Sequence, residues 1–153
     1  ASETAKLLIN TIRKMASALR PSMLDELGLN ASLEWQCKEF ASRNNIPCSF
    51  KPAKDDQGLS PEMITTIFRI CQESLENISQ HSEATQVSVN AEVNEKEIKL
   101  GIIDNGKGFE VDRQKNALGL IGMRERANAI NGHLHIESNP GKGTSVFVVV
   151  PRR

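Results

Sequence analysis

The segment EIKLGII, residues 97–103, is an almost unbroken apolar run that stops at a carboxylate, Asp104, and continues as NGKGF. A strand this rich in aliphatic residues must be covered on at least one face. Its end at an acid and two glycines admits two explanations. One is a tight turn. The other is a small-molecule site at the strand's end. There Asp104 would accept a hydrogen bond from an exocyclic amine such as that of adenine. Gly106 and Gly108 would let the backbone approach a flat ring.

The remainder of the chain supplies the partners for such a strand. Residues 1–19 read as a helix with a seam at Leu8, Ile12, Met15 and Leu19, spaced four, three, four. Two heptads are too few to define a coiled coil, so this helix either packs on its own domain or pairs with another chain. Pro21 biases the residue before it away from the helical region, and Ser22 with Asp25 resembles a capping box. Leu33 to Ser42 reads as helix, IPCSFK (46–51) as strand, and PAKDDQG (52–58) as a polar connection.

Ser60 before Pro61 marks a helix start, and residues 61–80 form the most strongly patterned helix, with Ile64, Ile67, Phe68, Cys71, Leu75 and Ile78 in one stripe. QVSVNAEV (86–93) alternates as a half-buried strand, and VNEKE predicts a hairpin into KEIKLGIID. ALGLIGMRERANAI (117–130) reads as a helix with a glycine-rich start, ended by Asn131-Gly132. HLHIES and TSVFVVV are strands joined by the turn NPGKG. This order predicts an α+β sandwich with an antiparallel or mixed sheet and helices on one face.

At 153 residues the chain has the length of one domain, with enough sequence for a sizeable core. Its formal net charge is zero, which gives no pull toward nucleic acid or an anionic membrane. No apolar run reaches the ~18 residues of a membrane span, and no signal peptide opens the chain. Its start at Ala1, in mid-pattern, leads us to expect a piece of a longer, cytoplasmic protein whose full length could still carry membrane spans. The three cysteines, Cys37, Cys48 and Cys71, are odd in number and far apart in sequence, so we expect reduced, mostly buried thiols.

Common chemical signatures are missing. Lys107 and Lys142 each follow a glycine but precede another, so neither lies in a P-loop. GxGxxG and GxSxG are absent as well. His133 and His135 share a strand face at ligand spacing, yet without a third clustered ligand a metal site is not expected, and a solvated sheet face explains them. Glu73 and Asn77 lie four apart on one helix face, opposite the apolar stripe, with His81 a turn later. Polar residues there are what any surface helix carries. The chemical alternative is that the Asn77 oxygen serves as a neutral hard ligand for Mg²⁺, which needs only one or two protein ligands beside substrate phosphates. Gly119 and Gly122 stand at a helix start, where free N–H groups and the helix dipole favour phosphate. Gly141, Gly143 and Thr144 form the turn into the last strand.

Taken in order, RICQESLENISQHSEA (69–84), DNGKGF (104–109), GLIGMRERA (119–127) and NPGKGTSVFVVVP (139–151) resemble the N, G1, G2 and final GT motifs of sensor histidine kinases. LRPSMLDELGL (19–29) is similar to the segment that precedes the ATP domain in the nitrate/nitrite-sensor subgroup. The resemblance covers about residues 19–151. It implies the Bergerat ATP-binding fold, shared with gyrase, mismatch-repair ATPases and heat-shock chaperones. It implies ATP and Mg²⁺ as cofactors, with Asn77 binding the metal and Glu73 as the catalytic polar helper on the same helix. His81 would stand beside the metal site and Asp104 would read the adenine amine. Gly106, Gly108, Gly119, Leu120 and Gly122 would shape the nucleotide pocket and lid, and Gly143 with Thr144 the adenine side. Residues 110–118 would be a short lid whose Arg113 and Lys115 reach phosphates.

By the same resemblance, residues 1–20 are the tail of a dimerisation helix and 21–153 the catalytic ATP-binding domain. The partners would be a histidine-bearing dimerisation domain and a response regulator, with no nucleic acid and no membrane contact by this segment. Ala117 stands where relatives often carry another glycine, which would stiffen the lid hinge. The Phe-bearing F motif of other subgroups is absent, as in this one. No phosphoacceptor motif is present, so this chain by itself is expected to bind ATP without autophosphorylating. Two other functions fit the same fold: a Ser/Thr kinase of the anti-sigma-factor type, and a nucleotide-gated interaction module without transfer activity. The segment 19–29 and the seam before it speak against the first, and the intact motifs against the second.

Overall fold

The computed structural model describes residues 21–111 and 119–152, with side chains from residue 26 onward. The seam of residues 1–19, the Ser22–Asp25 pair, and Arg113 and Lys115 of the expected lid therefore lie outside the described residues or side chains. The elements in chain order are α1 (Pro21–Asn44), β1 (Cys48–Lys51), α2 (Pro61–Asn77), a π-helical turn (Ile78–Ser82), β2 (Val87–Val93), β3 (Glu97–Asp104), α3 (Leu120–Ala129), β4 (His133–Ser138) and β5 (Thr144–Pro151).

Five strands form one sheet in the order β1-β2-β3-β5-β4. β1 pairs with β2 in parallel and every other pairing is antiparallel, so the sheet is mixed, as the sequence led us to expect. The β2–β3 hairpin is closed by Asn94, whose side-chain oxygen accepts from Lys96 N and Glu97 N, both at 2.8 Å. Such Asx turns are the physical content of a VNEKE connection.

Alternation places one face of each strand against the helices. Val87, Val89 and Ala91, then Ile98, Leu100 and Ile102, then Val146, Val148 and Val150 are all buried. The helices contribute Leu29, Leu33, Phe40, Ile64, Ile67, Phe68, Ile70, Met123 and Ala127 to the same core. His133 and His135 fall on the opposite, exposed face, where His135 meets Glu137 at 3.0 Å.

Local chemistry explains the helix boundaries. Ser60 caps α2, its hydroxyl accepting from Met63 N at 3.2 Å. Gly28, at φ 82°, interrupts α1 early. Past that kink the helix is capped by a distant residue, as Asp56 Oδ2 accepts from Asn30 N at 2.9 Å. The Asn30 amide pairs with the backbone of Ala53 in both directions, each bond 2.9 Å, so the polar connection 52–58 is tied to α1. At the end of α3, Asn131 takes a left-handed φ of 61°, Asn131 N donates to Asn128 O at 3.0 Å and Gly132 N to Ala127 O at 2.8 Å. That is a Schellman ending with Asn, rather than Gly, in the left-handed position.

The three thiols are free, Cys37 and Cys71 buried and Cys48 half-buried. Cys37 donates to the Cys48 sulfur, which holds the Cys37 thiol well above its ordinary range and lowers that of Cys48. Burial pushes the Cys71 thiol up. Among the described residues, no helix is long and apolar enough to cross a membrane.

Candidate functional site

Period-two alternation carries Ile98, Leu100 and Ile102 to the inner face of β3, and the next residue on that face is Asp104. The strand geometry thus delivers a carboxylate to the edge of an apolar core, where it is 6% exposed. Burial raises its pKa above the ordinary 3.8; hydrogen bonds from the backbone N–H groups of Gly106 and Thr144 work in the opposite direction. Gly106 N donates to Asp104 Oδ1 at 2.7 Å. On the adjacent strand, Thr144 is the direct cross-strand partner of Asp104.

Asp104 opens into a pocket lined by Ser74, Asn77, Ile78, His81, Ser82, Ile102, Gly108, Phe109, Leu120, Thr144 and Val146. Six of the residues singled out from sequence are therefore brought together: Asn77, His81, Asp104, Gly108, Leu120 and Thr144. Asn77 and Glu73 do not lie opposite the buried face of α2 in the way the apolar stripe predicts. The buried arc of that helix widens to include Ile70 and Ser74, because α3 packs on it as well as the sheet. Asn77 sits on the edge of that arc, half-buried, where the pocket begins.

The regular α-helix ends at Asn77 and continues as the π turn Ile78–Ser82, in which Ser82 Oγ donates to Ile78 O at 2.9 Å and accepts from Ala84 N at 3.1 Å. π turns widen a helix by one residue per turn and recur at functional sites. His81 is exposed, at the mouth of the pocket.

Two of the glycines answer the question of why the strand must end as it does. A Cβ on Gly106 would collide with the carbonyl oxygen of Ser82, and it would lie 2.7 Å from Ser82 Cβ. The turn 104–108 is thus pressed against the end of the π turn. Gly119, at φ 67°, is the N-cap of α3, and a Cβ there would collide with the Glu73 carboxylate. Glu73 is therefore half-buried between α2 and the start of α3 rather than displayed to solvent.

Gly143 packs on the backbone of Asp104 behind the pocket. Gly122 differs from expectation: it lies inside α3, exposed, with nothing within 4 Å of where a Cβ would stand, and it is not among the pocket-lining residues. The helix begins later than the sequence suggests, at Leu120, because Gly119 caps it in a left-handed conformation.

Sequence reasoning missed Ser74, Ile78, Ile102, Phe109 and Val146 as walls, and Ser82 and Ser138 as polar struts. Val146 and Ile102 were legible only as strand residues, since periodicity tells which face is buried and not which end of that face stays open. Among the described residues, no three of His, Cys, Asp or Glu cluster as a metal site.

The family model described as histidine kinase-, DNA gyrase B-, and HSP90-like ATPase matches residues 63–153. Among curated proteins, the chain is 35% identical over 146 residues to the oxygen sensor histidine kinase NreB of Staphylococcus carnosus (strain TM300), covering 94% of this chain and 42% of the relative. It is 37% identical over 143 residues to the sensor histidine kinase LiaS of Bacillus subtilis (strain 168), covering 93% and 39%. It thus spans about two fifths of the length of the curated relatives it matches. Among solved structures, the ATP binding domain of PrrB from Mycobacterium tuberculosis superposes with a TM-score of 0.67 at 19% identity, over 82% of this chain and 95% of that one, a likeness of fold.

Proposed function

Because the chain belongs to the family of histidine kinase-, DNA gyrase B-, and HSP90-like ATPases, we propose that it binds Mg-ATP in the pocket between α2, α3 and β3 and presents the γ-phosphate to a histidine on a separate helical domain. The observation that carries this reading is the convergence of Asn77, Asp104, Leu120 and Thr144, from four separate sequence motifs, on one pocket. The residues present fit the nucleotide. Asp104 is a buried acceptor for an amine, and Ile78, Ile102, Leu120 and Val146 offer apolar walls to a flat ring.

The remaining residues take the following roles in this reading. Asn77, at the pocket's edge, would hold Mg²⁺ through its side-chain oxygen together with phosphate oxygens, in keeping with the small number of protein ligands that this ion takes. When bound, the ion supplies neutralisation of phosphate charge. The first N–H groups of α3, behind Gly119, have no partner within the helix and favour an anion. Glu73, packed at that same helix start, would orient the incoming imidazole. Gly106 and Gly108 keep the turn thin enough for the base. Lys115, by resemblance alone, would add a cation from the lid. Phosphoryl transfer asks mainly for such positioning and charge compensation.

By the same reading the domain starts at residue 21, residues 1–20 are the tail of a dimerisation helix, and a response regulator receives the phosphate. The segment would act on the cytoplasmic side. A direct test joins a histidine-bearing helical hairpin upstream in cis and follows acid-labile, base-stable label from γ-labelled ATP. Transfer to the hairpin histidine that requires Asn77 is expected, with none to His81, His133 or His135 of the chain alone. Label on serine or threonine of a partner would instead favour the anti-sigma-factor type, and ATP binding without any transfer a gated interaction module.

A further inference from the structure

The thiols of this chain come together away from the nucleotide pocket, and none of them lines it. Cys37 sits among the core residues of α1 at 1% exposure, Cys71 among those of α2 at 0%, and Cys48 opens β1. Asn45, at a left-handed φ of 54°, turns the chain between α1 and β1, and the strand packs on the helix it has just left. That turn brings Cys48 to Cys37, whose S–H donates to the Cys48 sulfur, so the two sulfurs are in contact. Cys37 is enclosed and Cys48 only half-buried. We propose that Cys48 and Cys37 are a peroxide-reactive thiol pair, Cys48 attacking hydrogen peroxide and Cys37 resolving the product into a disulfide between β1 and α1.

Access and the direction of the hydrogen bond assign the two roles. Peroxide is attacked by a thiolate that it can reach. Cys48 alone meets both conditions, being half-buried rather than enclosed, with the S–H of Cys37 aimed at it and lowering its pKa. The Cys48 sulfur bonds to one peroxide oxygen as the O–O bond breaks, and the departing hydroxide takes up a proton as water. Cys48 is then a sulfenic acid, oxidised by two electrons. Cys37 holds its proton chiefly through its bond to the Cys48 sulfur, and oxidation of that sulfur ends the hold. The Cys37 sulfur attacks the Cys48 sulfur, the S–S bond forms and the S–O bond breaks. The oxygen leaves with the Cys37 proton as a second water. Two thiols and one peroxide thus give one disulfide and two waters. Cys71 is near enough to both for their charges to interact, yet it is fully enclosed and its pKa is raised by burial. It is therefore the unreactive neighbour against which the pair is measured.

The test exposes the native full chain to hydrogen peroxide without nucleotide, quenches it, and counts free thiols after unfolding, with mass spectrometry of unreduced peptides alongside. Loss of two of the three thiols is expected, with a linked peptide pair holding Cys37 and Cys48. A dithiol reductant should return both. Cys48→Ser is expected to keep its remaining thiols at the same dose. Cys37→Ser is expected to halt at the Cys48 sulfenic acid, which dimedone traps; Cys37→Ala gives the same reading if the serine variant unfolds, and the parent's linked peptides need no variant. A Cys48–Cys71 link, a Cys48–Cys48 bridge between two chains, or a lasting dimedone-reactive Cys48 in the parent removes Cys37 as the resolving thiol. Loss of Cys37 in Cys48→Ser, loss of Cys71 as early as Cys48, or no loss at all removes Cys48 as the attacking thiol. Each of these overturns the proposal. ATP plays no part in the measurement, so its outcome and that of the nucleotide reading are independent.

Discussion

Lys107 donates its backbone N–H to the carbonyl oxygen of Ser82 at 2.7 Å, fastening the turn after β3 to the end of the π turn after α2. This bond joins the element that carries Asp104 to the element that carries Asn77. Gly106 lies under it with no room for a side chain, since the atom in the way is backbone. Gly106→Ala is therefore expected to destabilise the fold by about 1–3 kcal/mol, the range for forcing extra volume into a packed site. It should also weaken ATP binding. Urea denaturation with calorimetry on the same samples checks both. Parent-like stability would show that the turn can move away without loss.

Asp104 sets stability against function. Its pKa is raised above 3.8 chiefly by burial, so between 3.8 and that raised value the folded state holds a proton that the unfolded state has released. Stability from this group therefore falls as pH rises through the window, and at neutral pH the ionised carboxylate is a cost. Asp104→Asn should raise the melting temperature at pH 7, and the gain over the parent should shrink on acidification toward pH 4. The same change should relax the preference for ATP over GTP, which an unpaired buried acceptor sets at roughly ten- to a hundredfold. Thermal melts across pH and nucleotide competition measure the two effects. A mutant no more stable than the parent at pH 7 would contradict the first.

Asn77 stands on the edge of the buried arc of α2, so Asn77→Ala removes little packing. The fold should persist, and the gain in ATP affinity on adding Mg²⁺ should vanish. Calorimetry with and without the ion compares mutant and parent; an equal gain in both would remove Asn77 from the metal site.

Thiol chemistry gives an independent check on the packing. Cys48 is half-buried, with its pKa lowered by the hydrogen bond from Cys37, while Cys37 and Cys71 are buried with raised values. Thiolate fraction and access both favour Cys48. Maleimide should label it first in the native protein, with Cys71 reacting only on unfolding. Mass spectrometry of timed digests reads the order, and early labelling of Cys71 would contradict the packing around α2.

The sequence by itself determined most of the elements. Local rules sufficed for Ser60 as a cap, Asn131 as a stop, the VNEKE hairpin and the inward alternation that ends at Asp104, because each depends on neighbours within a few residues. The order of motifs was also legible, and with it the family. Tertiary structure decided the rest. A helical wheel puts Glu73 in solvent, yet α3 arrives from some fifty positions along the chain and half-buries it against Gly119. Gly122 reads as part of a pocket, yet a left-handed cap at Gly119 starts the helix so that Gly122 faces outward. Ser138 reads as the polar end of a strand, and only the register of β4 on β5 sets its hydroxyl against Thr144. Periodicity fixes which way a side chain points, but what it meets there depends on residues distant in sequence, brought close by burial of a shared core.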